Sequence, residues 1–245
     1  MGGKRKIRIG TSGWDYEHWR GPFYPLDLPK RQLLPYYAQR LETVEINSSF
    51  YRLPSKETMV RWGESTPEGF LFAVKANRFI THMKKLKEPH RTLRPFLDTV
   101  AALGRKLGPI LFQLPPRLGF DAERFSLFLF ALPEGLKYAF EFRDPSWFNH
   151  QAYEAMAEKG VAFCIFDLAG FQSPMEVTGE LVYVRLHGPE GAYRGRYSDR
   201  VLGGWAEAIH TWVDRGKEVY CYFDNDEAGY AAQDARRLKQ LLSFS

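Results

Sequence analysis

A chain of 245 residues that is 44% hydrophobic can bury a full core, either as one α/β barrel of about 250 residues or as two domains of about 120. A net charge of +5 permits an anionic partner, nucleic acid included, but no block of five like charges marks a nucleic-acid tail. The longest apolar runs, such as Val161 to Phe166, are too short to span a bilayer of about 30 Å, which excludes a transmembrane segment.

The basic start MGGKRKIRIG runs straight into a strand without an apolar h-region, so no secretory signal is read there, and Gly2 lacks the Ser or Thr that myristoylation needs. Ile7 to Gly10 is the first strand, ending in Thr11-Ser12-Gly13-Trp14. Leu33, Leu34, Tyr37 and Leu41 recur at helical spacing and predict a helix over Lys30 to Leu41. Thr43 to Asn47 is the second strand, and Ser55 is a plausible N-cap for a helix over Ser55 to Glu64. Phe70 to Lys75 follows as strand three, then a long amphipathic helix over Thr92 to Lys106, closed by Gly108-Pro109. Ile110 to Leu114 is stopped by Pro115-Pro116, and Asp121 to Leu132 is the next helix.

In KYAFEFRDPSW, Tyr138, Phe140 and Phe142 alternate with Ala139, Glu141 and Arg143, the period-2 signature of a strand, and Asp-Pro-Ser stops it. Gln151 to Lys159 is helical, Val161 to Asp167 is strand six and Leu181 to His187 is strand seven. Gly203 to Arg215 is a helix, Glu218 to Asp224 is strand eight and Ala228 to Leu242 is the last helix, with the connection after strand six the least defined. Cys164 and Cys221 fall inside apolar strands with no Cys/His pair nearby and read as buried thiols of a soluble cytoplasmic protein. Eight strands alternating with helices predict a parallel sheet, and eight units in this length match a single (β/α)₈ TIM-type barrel over residues 1–245. An open doubly wound sheet competes, but no Gly-x-Gly-x-x-Gly follows any strand.

Assigning the more apolar set of each strand to the helix side leaves a polar set inward, near the strand ends. It comprises Glu45 and Asn47, Lys75, Gln113, Glu141 and Arg143, Asp167, then Tyr183, Arg185 and His187, and Tyr220, Tyr222 and Asp224. Barrel enzymes carry their sites at this C-terminal face, which favours an active or ligand site over the alternative of a purely structural ion-pair network. Lys75, Arg143 and Arg185 suit an anionic group. Glu45, Glu141, Asp167 and Asp224 could neutralise these cations, hold a divalent metal or transfer protons, and His187 could be base, ligand or scaffolding. The remaining histidines have no zinc-ligand spacing, so any metal would be Mg²⁺ or Mn²⁺ in oxygen-rich coordination. Trp14, Tyr16 and Trp19, Phe50 and Tyr51, Trp147 and Phe148, and Tyr193 and Tyr197 beside Arg194 and Arg196 bring flat rings to the loops after the strands. They suit stacking on bases or sugars, or simply cap the barrel mouth.

The runs GTSGWDYEHW, VEINSSFYRLP, FAVKANRFITH, LFQLPP, AFEFRDPSW, YVRLHG and YFDNDEAGYAAQDA, in this order from Ile7 to about Leu241, resemble the YecE-like family, a widespread bacterial and archaeal domain of unknown function. The resemblance implies a TIM-type barrel and brings no established reaction, cofactor or catalytic residue. Asp144 stands where many relatives have His, and Asp224 where Asn is common.

Three functions follow as expectations. The first is an enzyme acting on an anionic, phosphate-bearing substrate, extending to a phosphodiester or nucleic acid. In it Glu141, Asp167, His187 and Glu45 are the catalytic set, while Asn47, Lys75, Gln113, Arg143, Arg185, Trp14, Trp147, Tyr193, Tyr197 and Asp224 bind. The second is a sugar or sugar-acid hydrolase or isomerase, and the third a non-catalytic module for nucleic acid or a metabolite. No protein partner is inferable.

Overall fold

The computed structural model describes residues 6–243; the basic start, Met1 to Arg5, on which the leader reading rests, lies outside the described residues. Nine strands are present among them: β1 Ile7–Thr11, β2 Thr43–Ile46, β3 Leu71–Lys75, β4 Leu107–Gln113, β5 Tyr138–Glu141, β6 Ala162–Leu168, β7 Phe171–Gln172, β8 Leu181–Leu186 and β9 Glu218–Phe223. The helices are α1 Leu33–Ala38, α2 Lys56–Glu64, α3 Pro89–Val100, α4 Ala122–Phe130, α5 His150–Glu158, α6 Asp199–Asp214 and α7 Tyr230–Leu241. The sheet runs β1-β9-β8-β6-β5-β4-β3-β2, all parallel, with the short β7 antiparallel to β6. Beyond β1 the ring closes through a parallel bridge between Ser12 and Glu45, where the Gly13 N–H donates to the Glu45 carbonyl at 2.8 Å. This is an α/β barrel of the TIM type, as expected.

Closure depends on a close approach. A Cβ at Gly10 would stand 2.1 Å from the Thr43 carbonyl oxygen, so only glycine lets β1 reach β2. Two apolar layers result. Large side chains such as Val44, Ile46, Phe112, Phe140, Ile165, Val184 and Phe223 fill the layer under the helices. Inside the barrel, Ala73, Ala139, Ala162 and Cys164 are small and leave room for Tyr183, Tyr220 and Tyr222. The alternation expected from parity therefore holds on β2, β3, β5, β8 and β9.

It fails on β6. Ala162 and Cys164 face the interior, while Phe163 and Ile165 pack under the helices. Asp167 shares the latter parity, not the inward one expected above. Both alternate sets of β6 are apolar, so bulk could not discriminate them; the crowded interior took the small residues. Phe166 turns inward instead, with the Arg143 guanidinium 4.6 Å from its ring centre.

Other boundaries moved for local reasons. Gly108-Pro109 does not close a helix but lies within β4, where the register to β3 shifts. The predicted helix over Thr92 to Lys106 divides into α3 and a 3₁₀ stretch, Ala101–Lys106, broken at Gly104 with φ 55°. The helix expected over Lys30 to Leu41 is a 3₁₀ turn followed by the short α1. Helix α6 starts at Asp199 because Ser198 caps it, its hydroxyl accepting from the Val201 N–H at 3.3 Å. Between β6 and β8 there is no helix; β7 and an irregular stretch make the crossover. Among the described residues no helix is long and apolar enough to cross a membrane.

Candidate functional site at the C-terminal mouth

Strands β2, β3, β5 and β8 deliver Glu45, Lys75, Glu141 and Arg185 to the same end of the barrel, and Arg185 stands at the centre, fully buried. One guanidinium nitrogen donates to Glu141 Oε2 at 2.7 Å. The other donates to Glu45 Oε1 at 2.7 Å, to the Ser12 hydroxyl at 3.1 Å and to Asp224 Oδ2 at 3.2 Å. Tyr183 and Ser12 complete the shell of Glu45, donating to Oε2 and Oε1 at 2.6 Å each. A cation in the barrel interior thus faces three carboxylates, each of which is itself held.

His187 lies one step further out on the same face of β8. Its Nε2 is 2.8 Å from an Arg143 nitrogen and 3.2 Å from an Arg185 nitrogen, and its Nδ1 is 2.9 Å from Asp224 Oδ2. Nε2 also lies 3.3 Å from Glu141 Oε1, so the imidazole is enclosed by two guanidinium groups and two carboxylates. Arg143 also pairs with Glu141 Oε1 and is itself mostly buried. Burial pushes the Glu141 carboxyl up, but Arg143 and Arg185 overcome this and hold it well below the usual carboxylate range. Asp224 is likewise lowered: burial opposes, while Arg185 and the His187 hydrogen bond prevail.

Lys75 differs from these. It ends β3 with 6% of its surface exposed, yet its ammonium makes no hydrogen bond or ion pair among the described residues. The Phe50 ring lies 4.5 Å from Nζ. The turn Ser48–Phe50 sets that position, because the Ser49 hydroxyl donates to the Lys75 carbonyl at 2.6 Å and the Asn77 amide donates to the Ser49 carbonyl at 3.0 Å. Burial, then the Arg185 charge, lowers the Lys75 amine from 10.5 to about 8, against the pull of Glu141, Glu45 and Asp224.

The remaining expected residues spread around this ring. Gln113 is opposite Glu141 in the β4–β5 register. Asn47 and Trp14 line a cavity of about 340 Å³ beside the mouth with Tyr16, Tyr51 and Trp62, and Trp14 meets Trp62 edge-on at 4.9 Å. Tyr193 is half exposed, its ring 5.9 Å from that of His187. Asp167 accepts from the buried Tyr197 hydroxyl at 3.0 Å, and that hydroxyl also accepts from the Gly188 N–H at 2.9 Å. Burial raises the Asp167 carboxyl. Trp147 is buried among Phe120, Phe125 and Phe142, stacked on Phe142 at 4.3 Å, with its indole N–H donating to the Leu118 carbonyl at 2.7 Å. Trp147 and Tyr197 therefore offer no ring face to a ligand.

Ser12 and Asp226 join the site without having been expected there, and Tyr16, expected only as a flat ring, joins it through its hydroxyl. Ser12 continues the inward alternation Arg8, Gly10, Ser12, a signal that a strand reading ending at Gly10 cuts off. The Tyr16 hydroxyl donates to the Ser12 carbonyl at 2.6 Å, and burial, with Asp224 and Asp226 nearby, pushes it up. Burial, then the Asp224 charge, raises the Asp226 carboxyl to about 6.

A divalent metal does not fit this ring. Glu141 has a guanidinium on each oxygen and both His187 nitrogens are occupied, so a cation there would face Arg143 and Arg185 directly. Among the described residues no group of three His, Cys, Asp or Glu is arranged to hold a metal.

Comparison with known proteins places this geometry in a family. The chain is 26% identical over 272 residues to the UPF0759 protein YunF of Bacillus subtilis, covering 97% of this chain and 95% of that protein. It is 30% identical over 157 residues to the UPF0759 protein YecE of Escherichia coli, a match covering 63% of this chain and 55% of that protein. A crystal structure of a DUF72 family protein from Thermotoga maritima superposes with a TM-score of 0.87 at 30% identity, covering 98% of this chain and 100% of the other. One from Enterococcus faecalis gives 0.83 at 24% identity, covering 98% and 96%, and shares the fold. Residues 8–245, nearly the whole barrel, match the family model described as "Protein of unknown function DUF72", and the chain belongs to that family.

Proposed function

We propose that this barrel is an enzyme that takes an anionic, phosphate-bearing substrate at its C-terminal mouth. One observation carries the reading: the Lys75 side chain is buried at the mouth and its ammonium is unpaired among the described residues, while every neighbouring carboxylate is engaged by Arg185, Arg143, His187, Tyr183 or Ser12. A desolvated cation without a counter-charge is costly, and an arriving anion removes that cost. Arg143, whose Nε has no partner, supplies the second donor.

Within this reading Glu45, Glu141 and His187 orient Arg185 and Arg143, because each lies against one or both of those guanidinium groups. Asp226, near Tyr16 and Asp224 and raised to about 6, is the acid–base group. Asp167 braces the loop after β8 through Tyr197. The engagement of Glu141 and His187 by Arg185, Arg143 and Asp224 also favours a second reading, a non-catalytic anion-binding barrel.

Calorimetric titration with inorganic phosphate, then turnover assays on phosphomonoesters and phosphodiesters including a short single-stranded DNA, separate the two. The enzyme reading expects binding that weakens at high salt, at least tenfold loss in Lys75→Met, and turnover that falls in Asp226→Asn with the fold intact. Binding without turnover leaves the module reading; no binding of any anion overturns both.

A further inference from the structure

The same mouth holds a second feature that anion binding alone does not explain. A lysine that serves only as a cation is best placed against carboxylates or solvent, where its charge is stabilised. Lys75 has neither. One side is covered by Phe50, itself packed edge-on against His82 at 4.9 Å. Its charged neighbours are Arg185, which repels it, and Glu141, Glu45 and Asp224, which attract it but make no contact with it. The ring is arranged so that each carboxylate is engaged by another donor, and among the described residues the Lys75 amine makes no hydrogen bond or ion pair.

We propose that Lys75 is a nucleophile that forms an imine with the carbonyl carbon of a small anionic carbonyl compound, whose carboxylate or phosphate pairs with Arg143. This deepens the reading above and rests on it for the anionic group. The amine lone pair attacks the carbonyl carbon, a C–N bond forms, and the carbonyl oxygen becomes the hydroxyl of a carbinolamine. The two protons originally on nitrogen end on that oxygen, which leaves as water, so no oxidant or further reactant is needed. Lowering the amine to about 8 makes roughly one lysine in ten neutral at pH 7, against about one in three thousand at the ordinary value. Arg185, a permanent charge fixed by three carboxylates, maintains that condition through the reaction, as a neighbouring cation does for an imine-forming lysine.

The test is reductive trapping on the full chain. The protein is incubated near neutral pH with sodium cyanoborohydride and either pyruvate or glyceraldehyde 3-phosphate, and the label is located by peptide mapping. The expected result is one adduct per chain on Lys75. With pyruvate the mass gain is that of one pyruvic acid less one oxygen. Labelling should be at least tenfold faster than at any surface lysine and should be slowed by inorganic phosphate. Faster trapping by the carboxylate or by the phosphate compound identifies the anion. Labelling spread evenly over surface lysines, or none, overturns the imine proposal. Lys75→Arg, which removes the primary amine, should abolish the adduct; an adduct of equal yield in that variant also overturns the proposal. Phosphate binding without trapping leaves the anion reading standing, and trapping that phosphate does not affect removes the anion reading alone.

Discussion

Arg185 is the residue on which the mouth depends, since its guanidinium is shared among Glu45, Glu141 and Asp224 inside a closed barrel. Removing it strands three buried carboxylates, and Arg185→Met should destabilise the protein by about 3–5 kcal/mol in denaturant unfolding, far more than loss of an exposed pair. The acid limb of stability follows from the same residues. Glu141 and Asp224 are held below their ordinary values of 4.5 and 3.8, so their ionised forms stabilise the fold above that range. That contribution is lost as pH falls through it toward the lower folded values. Glu141→Gln should therefore be less stable at pH 7 and show a flatter decline between pH 5 and 3, measured by thermal melts across pH. Asp226 has the opposite sign: raised to about 6, it stabilises when protonated and less so as pH rises from 4 to 6, so Asp226→Asn should raise the melting temperature at pH 7 and leave it unchanged at pH 3.

At the scale of elements, capping and close approach decide the barrel's closure. Gly10→Ala would press a Cβ into the Thr43 carbonyl and prise β1 from β2. It should cost at least about 1–3 kcal/mol and weaken the network through the Ser12–Glu45 bridge. Asn149, whose side chain accepts from the Ala152 N–H at 2.9 Å, caps α5, and Asn149→Ala should cost about 1 kcal/mol without touching the mouth. Most elements were legible because alternating strands and 3–4 spaced helices carry their own periods. Gly108-Pro109 was misread because both residues punctuate helices by default, whereas a bulge at the β3–β4 pairing accommodates them inside a strand. Strand β6 was misfaced because Ala162, Cys164 and Phe166 are nearly as apolar as Phe163 and Ile165.

For the molecule as a whole, the residue pattern alone determined the eightfold alternation of strands and helices, the family, and the convergence of Glu45, Lys75, Glu141, Arg143, Arg185, His187 and Asp224 on one end. Parity and the direction of a parallel strand leave them nowhere else to go. Only the tertiary structure decided which of these charges are engaged with one another. Pairing depends on distances across the barrel between residues as remote in sequence as Ser12 and Arg185, and no local period records them. The same long-range packing placed Trp147 and Tyr197 in the interior and left Lys75 without a partner, because a ring of buried charges has a limited number of donors and acceptors, and their geometry alone settles which one stays free.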